Sequence, residues 1–317
     1  MTLLQRADPI FILGILPRSG TNFLWDLLVL HPACGPARPP IREDLFLEHA
    51  DLLFDYTSAV RHSWDPAWGA FADDLPDRFH EALGDGLISF LWVDRGRRLL
   101  TKSPSVRNLD SFFTFFPRAR LLILVRDGRS VAQSCMATFG WDFDTAARRW
   151  ARAADEIHRF DERHRGLPYR IVRYEDLVDD LDATLLGILE FLELDREAFD
   201  FQAAARLPVR GSSSYFGPGR DAVHWEPVER DATFDARSRW RAWTPELRQR
   251  FDWIGGRQLR RLGYDQSPPS ARGPGQVLRH HLLDWRWQTR SIASRSRRRL
   301  GTASRPLRQR LGLIRGS

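Results

Sequence analysis

The segment Pro17-Arg18-Ser19-Gly20-Thr21-Asn22 has residue types and spacing suited to chemistry. It follows a continuous apolar run, Ile10 to Leu16, and leads into Phe23, Leu24, Leu27, Leu28 and Leu30 at helical spacing. A buried strand, a tight turn and a helix in that order aim free backbone N–H groups at one point and add the positive end of the helix dipole, which makes an anion cradle. Gly20 lets the backbone approach phosphate oxygens, the hydroxyls of Ser19 and Thr21 donate to them, and Arg18 supplies a charge-assisted fork. A Walker loop needs Gly, four residues, then Gly-Lys-Ser/Thr. Here Gly20 runs straight into Thr21 with no Lys, and Gly14 is one residue too far upstream, so magnesium-dependent ATPase or GTPase chemistry is disfavoured. A second apolar run, Leu121 to Val125, delivers Arg126 where a magnesium-binding acid would be expected. Arginine at that point favours a phosphate contact. Of the 48 basic residues only one is a lysine, Lys102, and in so Arg-biased a chain a retained lysine merits scrutiny as a point charge.

The elements that must position these residues alternate. Strands are expected over Ile10 to Leu16, Leu99 to Lys102, Leu121 to Val125 and Tyr169 to Arg173. Helices are expected after Gly20, from Arg129 through Met136, from Phe143 to His164 and from Pro245 to Leu262. That order predicts a three-layer αβα fold with a mostly parallel central sheet and P-loop-like nucleotide-binding architecture, ligands lying beyond the carboxyl ends of the strands. Residues 36–98, rich in Pro, Asp, Trp and Phe, interrupt the alternation and form a candidate acceptor-binding helical insert within a domain spanning 1–265. Residues 266–317 form an Arg-rich extension in which Leu278, Leu282, Trp285 and Ile292 make a helical stripe opposite arginines.

The charge is as uneven as the pattern. The formal +7 splits into a body near −4 and a tail near +11, the tail holding 12 Arg and a single Asp. High basicity is therefore a poor argument for nucleic-acid binding by the main domain, and no nucleic-acid partner is expected. The tail suits a solvated extension, an anionic membrane surface or an acidic partner. Cys34 and Cys135 give neither a disulfide framework nor a zinc spacing, so reduced thiols and no metal site are expected. The first residues lack a signal-peptide layout and carry too short an apolar run to span a membrane. The expectation is a cytoplasmic protein, with the tail admitting attachment at the inner membrane face.

Leu-Pro-Arg-Ser-Gly-Thr-Asn resembles the 5′-phosphosulfate loop of PAPS-dependent sulfotransferases, and Leu-Val-Arg-Asp-Gly-Arg-Ser-Val-Ala-Gln-Ser resembles their 3′-phosphate site, in the right order. The resemblance covers roughly residues 9 to 265 and is closest to the tyrosylprotein and bacterial carbohydrate or lipid branches. It implies transfer of a sulfuryl group from PAPS to a hydroxyl acceptor (a sugar, glycolipid or natural product) without a metal. It assigns the donor to Arg18, Ser19, Gly20, Thr21 and Asn22, and its 3′-phosphate to Arg126 and to Ser134, eight residues on. Thr101-Lys102-Ser103-Pro104 is similar to the segment that places a Lys near the bridging oxygen, so Lys102 and Arg18 are expected to stabilise the leaving group. The small-molecule branch places a His just after that Lys; here Ser103 and Pro104 stand there. In the tyrosylprotein branch a Glu follows a His-Pro pair, and after His31-Pro32 this chain has Arg42-Glu43-Asp44. Glu43 is thus the candidate general base, with Asp44 or Glu48 as alternatives and a solvated acidic pair opening a helix at Leu45 as the plain reading. Tyr174-Glu175-Asp176-Leu177 matches a recurrent family segment, although Tyr174 and Trp150 by themselves read as core. Ser212 and Arg239 fall where the family closes a loop over the donor; His224 and Trp225 are weaker acceptor-site candidates. An ATP-dependent small-molecule kinase and a non-catalytic nucleotide binder remain the alternatives.

Overall fold

The computed structural model of the chain describes residues 8–65, 75–210, 227–228, 239–265 and 273–303, the stretch beyond 290 and the pairs 209–210 and 227–228 by backbone alone. From the amino end, β1 (Ile10–Gly14) leads through the Pro17–Gly20 turn to α1 (Thr21–Val29) and the short edge strand β2 (Cys34–Pro36). Two helices follow, α2 (Ala50–His62) and α3 (Leu75–Leu91), before β3 (Arg98–Ser103), α4 (Phe112–Phe115) and β4 (Arg120–Val125). The chain continues through α5 (Gly128–Phe139), α6 (Phe143–Arg163), β5 (Tyr169–Arg173), α7 (Tyr174–Asp179), α8 (Leu181–Leu192) and α9 (Phe201–Arg206). A two-stranded ribbon, β6 (Val209–Arg210) with β7 (Pro227–Val228), precedes α10 (Pro245–Arg261) and the tail helix α11 (Pro274–Ala303).

Among the described residues the central sheet has five strands in the order β2-β3-β1-β4-β5, all parallel. Every residue of β1 is buried, the signature of a parallel strand covered on both faces. Its side chains alternate. Ile10 and Ile12 join Leu100, Leu122, Leu124 and Val172 against α1 and α8, while Phe11 and Leu13 join Leu121, Ile123, Trp150 and Phe251 on the side of α5, α6 and α10. These are the two outer layers of the αβα fold expected from the alternation. After β1 the chain fills one side of the sheet with β2 and β3, then crosses to β4 and β5 on the other, so the loop after β1 sits where the connections diverge.

Two details differ from the sequence reading and one agrees with it. The apolar run to Leu16 stops being strand at Gly14, although Ile15 N–H still donates to Leu124 O at 2.9 Å. The stretch after Pro36 is helical as expected, with α2 and α3. The acidic pair does not open a helix at Leu45; that residue has φ 53°, and a 3₁₀ turn begins only at Leu47.

The tail helix lies against α6 and α10. Asp284 accepts from Trp253 Nε1 at 3.0 Å and pairs with Arg250 at 2.7 Å and with Arg148. Trp287 donates to Thr145 Oγ1 at 3.2 Å and lies beneath the Arg148 guanidinium.

The insert is fastened where α3 crosses α4. A Cβ placed on Gly84 would stand 1.8 Å from the Phe115 carbonyl oxygen, which is backbone and cannot swing aside. Gly84→Ala is therefore expected to destabilise the fold by about 1–3 kcal/mol in urea unfolding, whereas Gly86→Ala, whose Cβ meets nothing, should not.

Candidate active site

The turn after β1 is built by close approach. A Cβ on Gly14 would stand 2.4 Å from Ser19 Oγ, and a Cβ on Gly20 would stand 2.4 Å from the Tyr174 ring. Gly20 also takes φ 103°, and Arg18 itself sits in the left-handed region at φ 74°, conformations that glycine tolerates and other residues seldom adopt. Helix α1 starts at Thr21 with no side-chain cap and no acid in its first turn. Its first N–H groups thus have no intrahelical acceptor. By contrast, Asp127, Asp142 and Asp180 cap the helices that follow them. Beside the uncapped start, Ser19 Oγ is fully buried without a hydrogen-bond partner, as is Ser103 Oγ at the end of β3. Thr21 is buried and Asn22 half-buried on the same first turn.

Arginines converge on this turn. Arg18 Nε donates to Ser134 Oγ at 3.0 Å, and Arg126 donates to the Arg18 carbonyl at 2.8 Å. The Arg18 guanidinium is pulled down to about 10 by burial and then by the positive charges of Arg126 and Arg239. It stays protonated at neutral pH, beside two like charges in a partly desolvated place. Arg239 opens a 3₁₀ turn, Arg239–Ala242, that is seated on α5: Trp240 lies 3.9 Å from the Arg129 guanidinium, and Trp243 donates to Gln133 Oε1 at 2.5 Å. Ser212 lies outside the described residues, as do His224 and Trp225.

Arg126 is held on several sides. Trp150, fully buried, donates from Nε1 to the Arg126 carbonyl at 3.1 Å, and Tyr174 presents its ring 4.3 Å from the guanidinium. Glu175 accepts from the Asp127 N–H at 3.0 Å, and burial raises its carboxyl. Both residues that read as core are indeed buried, and both orient the arginine.

One strand over, Lys102 is 5% exposed at the end of β3, and its Nζ lies 3.2 Å from Glu43 Oε1. Burial lowers the Lys102 ammonium, and Glu43, Asp26 and Asp44 oppose that shift. The neighbouring carboxylate goes elsewhere: Asp44 accepts from Thr101 Oγ1 at 2.7 Å and from the Phe46 N–H at 3.1 Å, and is 8% exposed. The pair is therefore not a solvated one. Glu48 lies on the 3₁₀ turn Leu47–His49, and among the described residues Glu43 is the carboxylate in contact with Lys102.

The sequence model of the Sulfotransferase family matches residues 9–198, more than half of the chain. The chain belongs to the sulfotransferase family. That bears out the resemblance of the two motifs and the expectation of a PAPS-dependent sulfotransferase. Among its relatives, protein-tyrosine sulfotransferase A of Caenorhabditis elegans is 25% identical over 86% of this chain and 72% of its own length. Protein-tyrosine sulfotransferase 1 of Danio rerio is 24% identical over 85% and 77%. Among solved structures, the sulfotransferase domain from the curacin biosynthetic pathway superposes with a TM-score of 0.50 over 82% of this chain and 99% of that one, at 20% identity, which shows a shared fold.

For this sulfotransferase, sequence reasoning passed over the residues that hold the anion-facing ones. Asp26 on α1 contributes to the field at Lys102, and Cys135 Sγ donates to the Pro17 carbonyl at 3.5 Å; Glu175, named only within a family segment, braces Asp127. For Glu175 the signal besides the family segment was its position directly after a strand, at the carboxyl end where ligands gather.

Burial pushes the Asp44 carboxyl up to about 6, against the pull of Thr101 and the Phe46 N–H. A carboxyl that binds its proton more tightly in the folded state contributes stability that is full below its unfolded value and is lost as pH rises through the folded one. Between about pH 4 and pH 7 the wild type should thus lose on the order of 2–3 kcal/mol relative to Asp44→Asn. Urea unfolding of both proteins across that range measures it; parallel curves would show that Asp44 is not the titrating group.

Proposed function

We propose that this sulfotransferase binds PAPS on the β1–α1 turn and moves its sulfuryl group to a hydroxyl of a carbohydrate, lipid or natural-product acceptor, without a metal. The observation that carries the reading is the convergence of Arg18, Arg126 and Arg239 on an uncapped helix start. The cradle formed by Ser19, Gly20, Thr21 and Asn22 would hold the 5′ end of the donor. Arg126 and Ser134, with Arg239 and, by resemblance, Ser212, would hold its 3′-phosphate. The buried Ser19 and Ser103 hydroxyls have donors to spend on such oxygens.

Glu43 then takes the proton of the acceptor hydroxyl as its oxygen attacks sulfur in line, and the bond from sulfur to the bridging oxygen breaks. Negative charge gathers on that oxygen, where Lys102 and Arg18 stabilise it, and PAP leaves. The cationic work that a metal performs in other transferases falls to guanidinium and ammonium groups already aimed at the site. The insert of 36–98 supplies the acceptor's wall, since Glu43 lies within it and faces the donor side through Lys102. The protein-tyrosine names of the relatives make a tyrosyl peptide the natural competing acceptor.

Glu43→Gln is expected to lower turnover about 10²- to 10⁴-fold while keeping the affinity for PAP. Labelled PAPS with sugar, lipid, natural-product and tyrosyl-peptide acceptors reads the turnover and identifies the product; unchanged turnover would remove Glu43 from the mechanism. Calorimetry should show PAP binding far more tightly than ADP, with the preference weakened in Ser134→Ala and turnover insensitive to EDTA. Equal binding of the two nucleotides with magnesium dependence would instead indicate the kinase reading.

A further inference from the structure

The tail helix α11 carries two faces, and the fold uses one. Toward the body, His280, Asp284 and Trp287 recur at helical spacing and are consumed by packing: His280 stacks on Trp253 with ring centroids 5.0 Å apart, and its carbonyl accepts from Arg250 at 3.2 Å. Asp284 and Trp287 make the contacts to α6 and α10 described above. On the opposite side Leu278, Leu282 and Trp285 lie at positions i, i+4 and i+7, one above another on a helix. They are 62%, 54% and 64% exposed. Arg279, Arg286 and Arg290, all exposed, recur along one flank of that stripe.

Within the tail the charge left around the stripe has one sign, and from the body Glu246 of α10 reaches Arg279. Asp284 is the sole acid among residues 266–317, which hold 12 arginines, and it is already committed to Arg148 and Arg250 on the docked face. Nothing acidic from the tail remains to offset the outward arginines. A second copy of the chain would bring two Arg-flanked stripes together, like charge against like. A purely acidic partner would satisfy the arginines but leave two leucines and an indole against water. An anionic bilayer surface satisfies both: acyl chains take the apolar stripe, headgroups take the arginines, and tryptophan favours the boundary between them.

We infer that the Leu278-Leu282-Trp285 face of α11 is an interfacial membrane-binding surface that lays this enzyme on anionic lipid. No helix of the described residues is long and apolar enough to cross a membrane, so contact is in the plane of the interface. The docked face fixes α6 and α10 above the lipid. The inference is independent of the identity of the donor or the acceptor.

Co-sedimentation of the full chain with vesicles tests it. Binding is expected to vesicles of equal parts phosphatidylglycerol and phosphatidylcholine, to weaken with salt, and to be slight on phosphatidylcholine alone. Leu282→Ser with Trp285→Ser, which keeps every charge, should lower the partition coefficient on the order of 100-fold. Arg279→Gln with Arg286→Gln should lower it roughly tenfold or more. Melting temperatures and PAP calorimetry, with wild-type values expected, show that the variants are folded. Absence of vesicle binding, equal binding to neutral vesicles, or binding indifferent to the serine pair would overturn the inference. Self-association in ultracentrifugation that the serine pair abolishes, without vesicle binding, would assign the face to a second copy. Tight binding to polyglutamate indifferent to the serine pair, in place of vesicle binding, would assign the arginines to an acidic partner.

Discussion

Holding Arg18, Arg126 and Arg239 near one turn is the constraint on which the rest of the site depends. Like charges in a partly desolvated place repel, and burial adds its own cost. The fold offsets part of both costs with contacts to a carbonyl, a hydroxyl and an aromatic ring. Arg126 spends one N–H on the Arg18 carbonyl and rests on the Tyr174 ring, and its backbone is fixed by Trp150. Arg18 spends Nε on the Ser134 hydroxyl. The supporting acid, Glu175, accepts from the Asp127 N–H and lies within electrostatic reach of Arg126.

The same logic explains the glycines and the missing cap. An aspartate or serine cap at α1 would fill the first-turn N–H groups and set a negative or competing oxygen at the anion position. Gly20 leaves them open, and its missing Cβ is what admits the Tyr174 ring on which Arg126 lies. A substitution there would disturb the turn, the ring and the arginine together. Gly14 does the same for Ser19 from the strand side.

Much of this was legible in the sequence because it is local. A five-residue apolar strand, a turn with Arg, Ser and Gly, and an apolar helical stripe lie within 20 residues of one another, and Val125-Arg126 repeats the strand end. Lys102 stood out by composition alone. What escaped was long-range or patternless. Strand β2 has three residues and no alternation to read. The insert read as helical but the bounds of α2 and α3 did not, since exposed apolar residues such as Leu52, Tyr56 and Phe90 blur their hydrophobic periodicity. Trp150 and Tyr174 reach Arg126 from 24 and 48 residues away, and no spacing rule joins an indole to a carbonyl across that distance.

The division of labour between Glu43 and Asp44 follows from the pleat of β3. Thr101 and Lys102 are consecutive in a strand, so their side chains leave opposite faces of the sheet. The Glu43-Asp44 segment runs alongside that strand end, the Asp44 N–H donating to the Lys102 carbonyl at 3.1 Å. Its side chains alternate in the same way, so Asp44 meets Thr101 and Glu43 meets Lys102. Leu45, at φ 53°, then turns the chain away before a third residue can follow the pattern. Asp44 commits both carboxyl oxygens to Thr101 and the Phe46 N–H, and in doing so sets the register that brings Glu43 to the lysine. Glu43 keeps a third of its side chain exposed and one contact, to a cation. Of two adjacent acids, one is built into the wall and the other is left facing the space beyond the strands, where an acceptor hydroxyl would arrive.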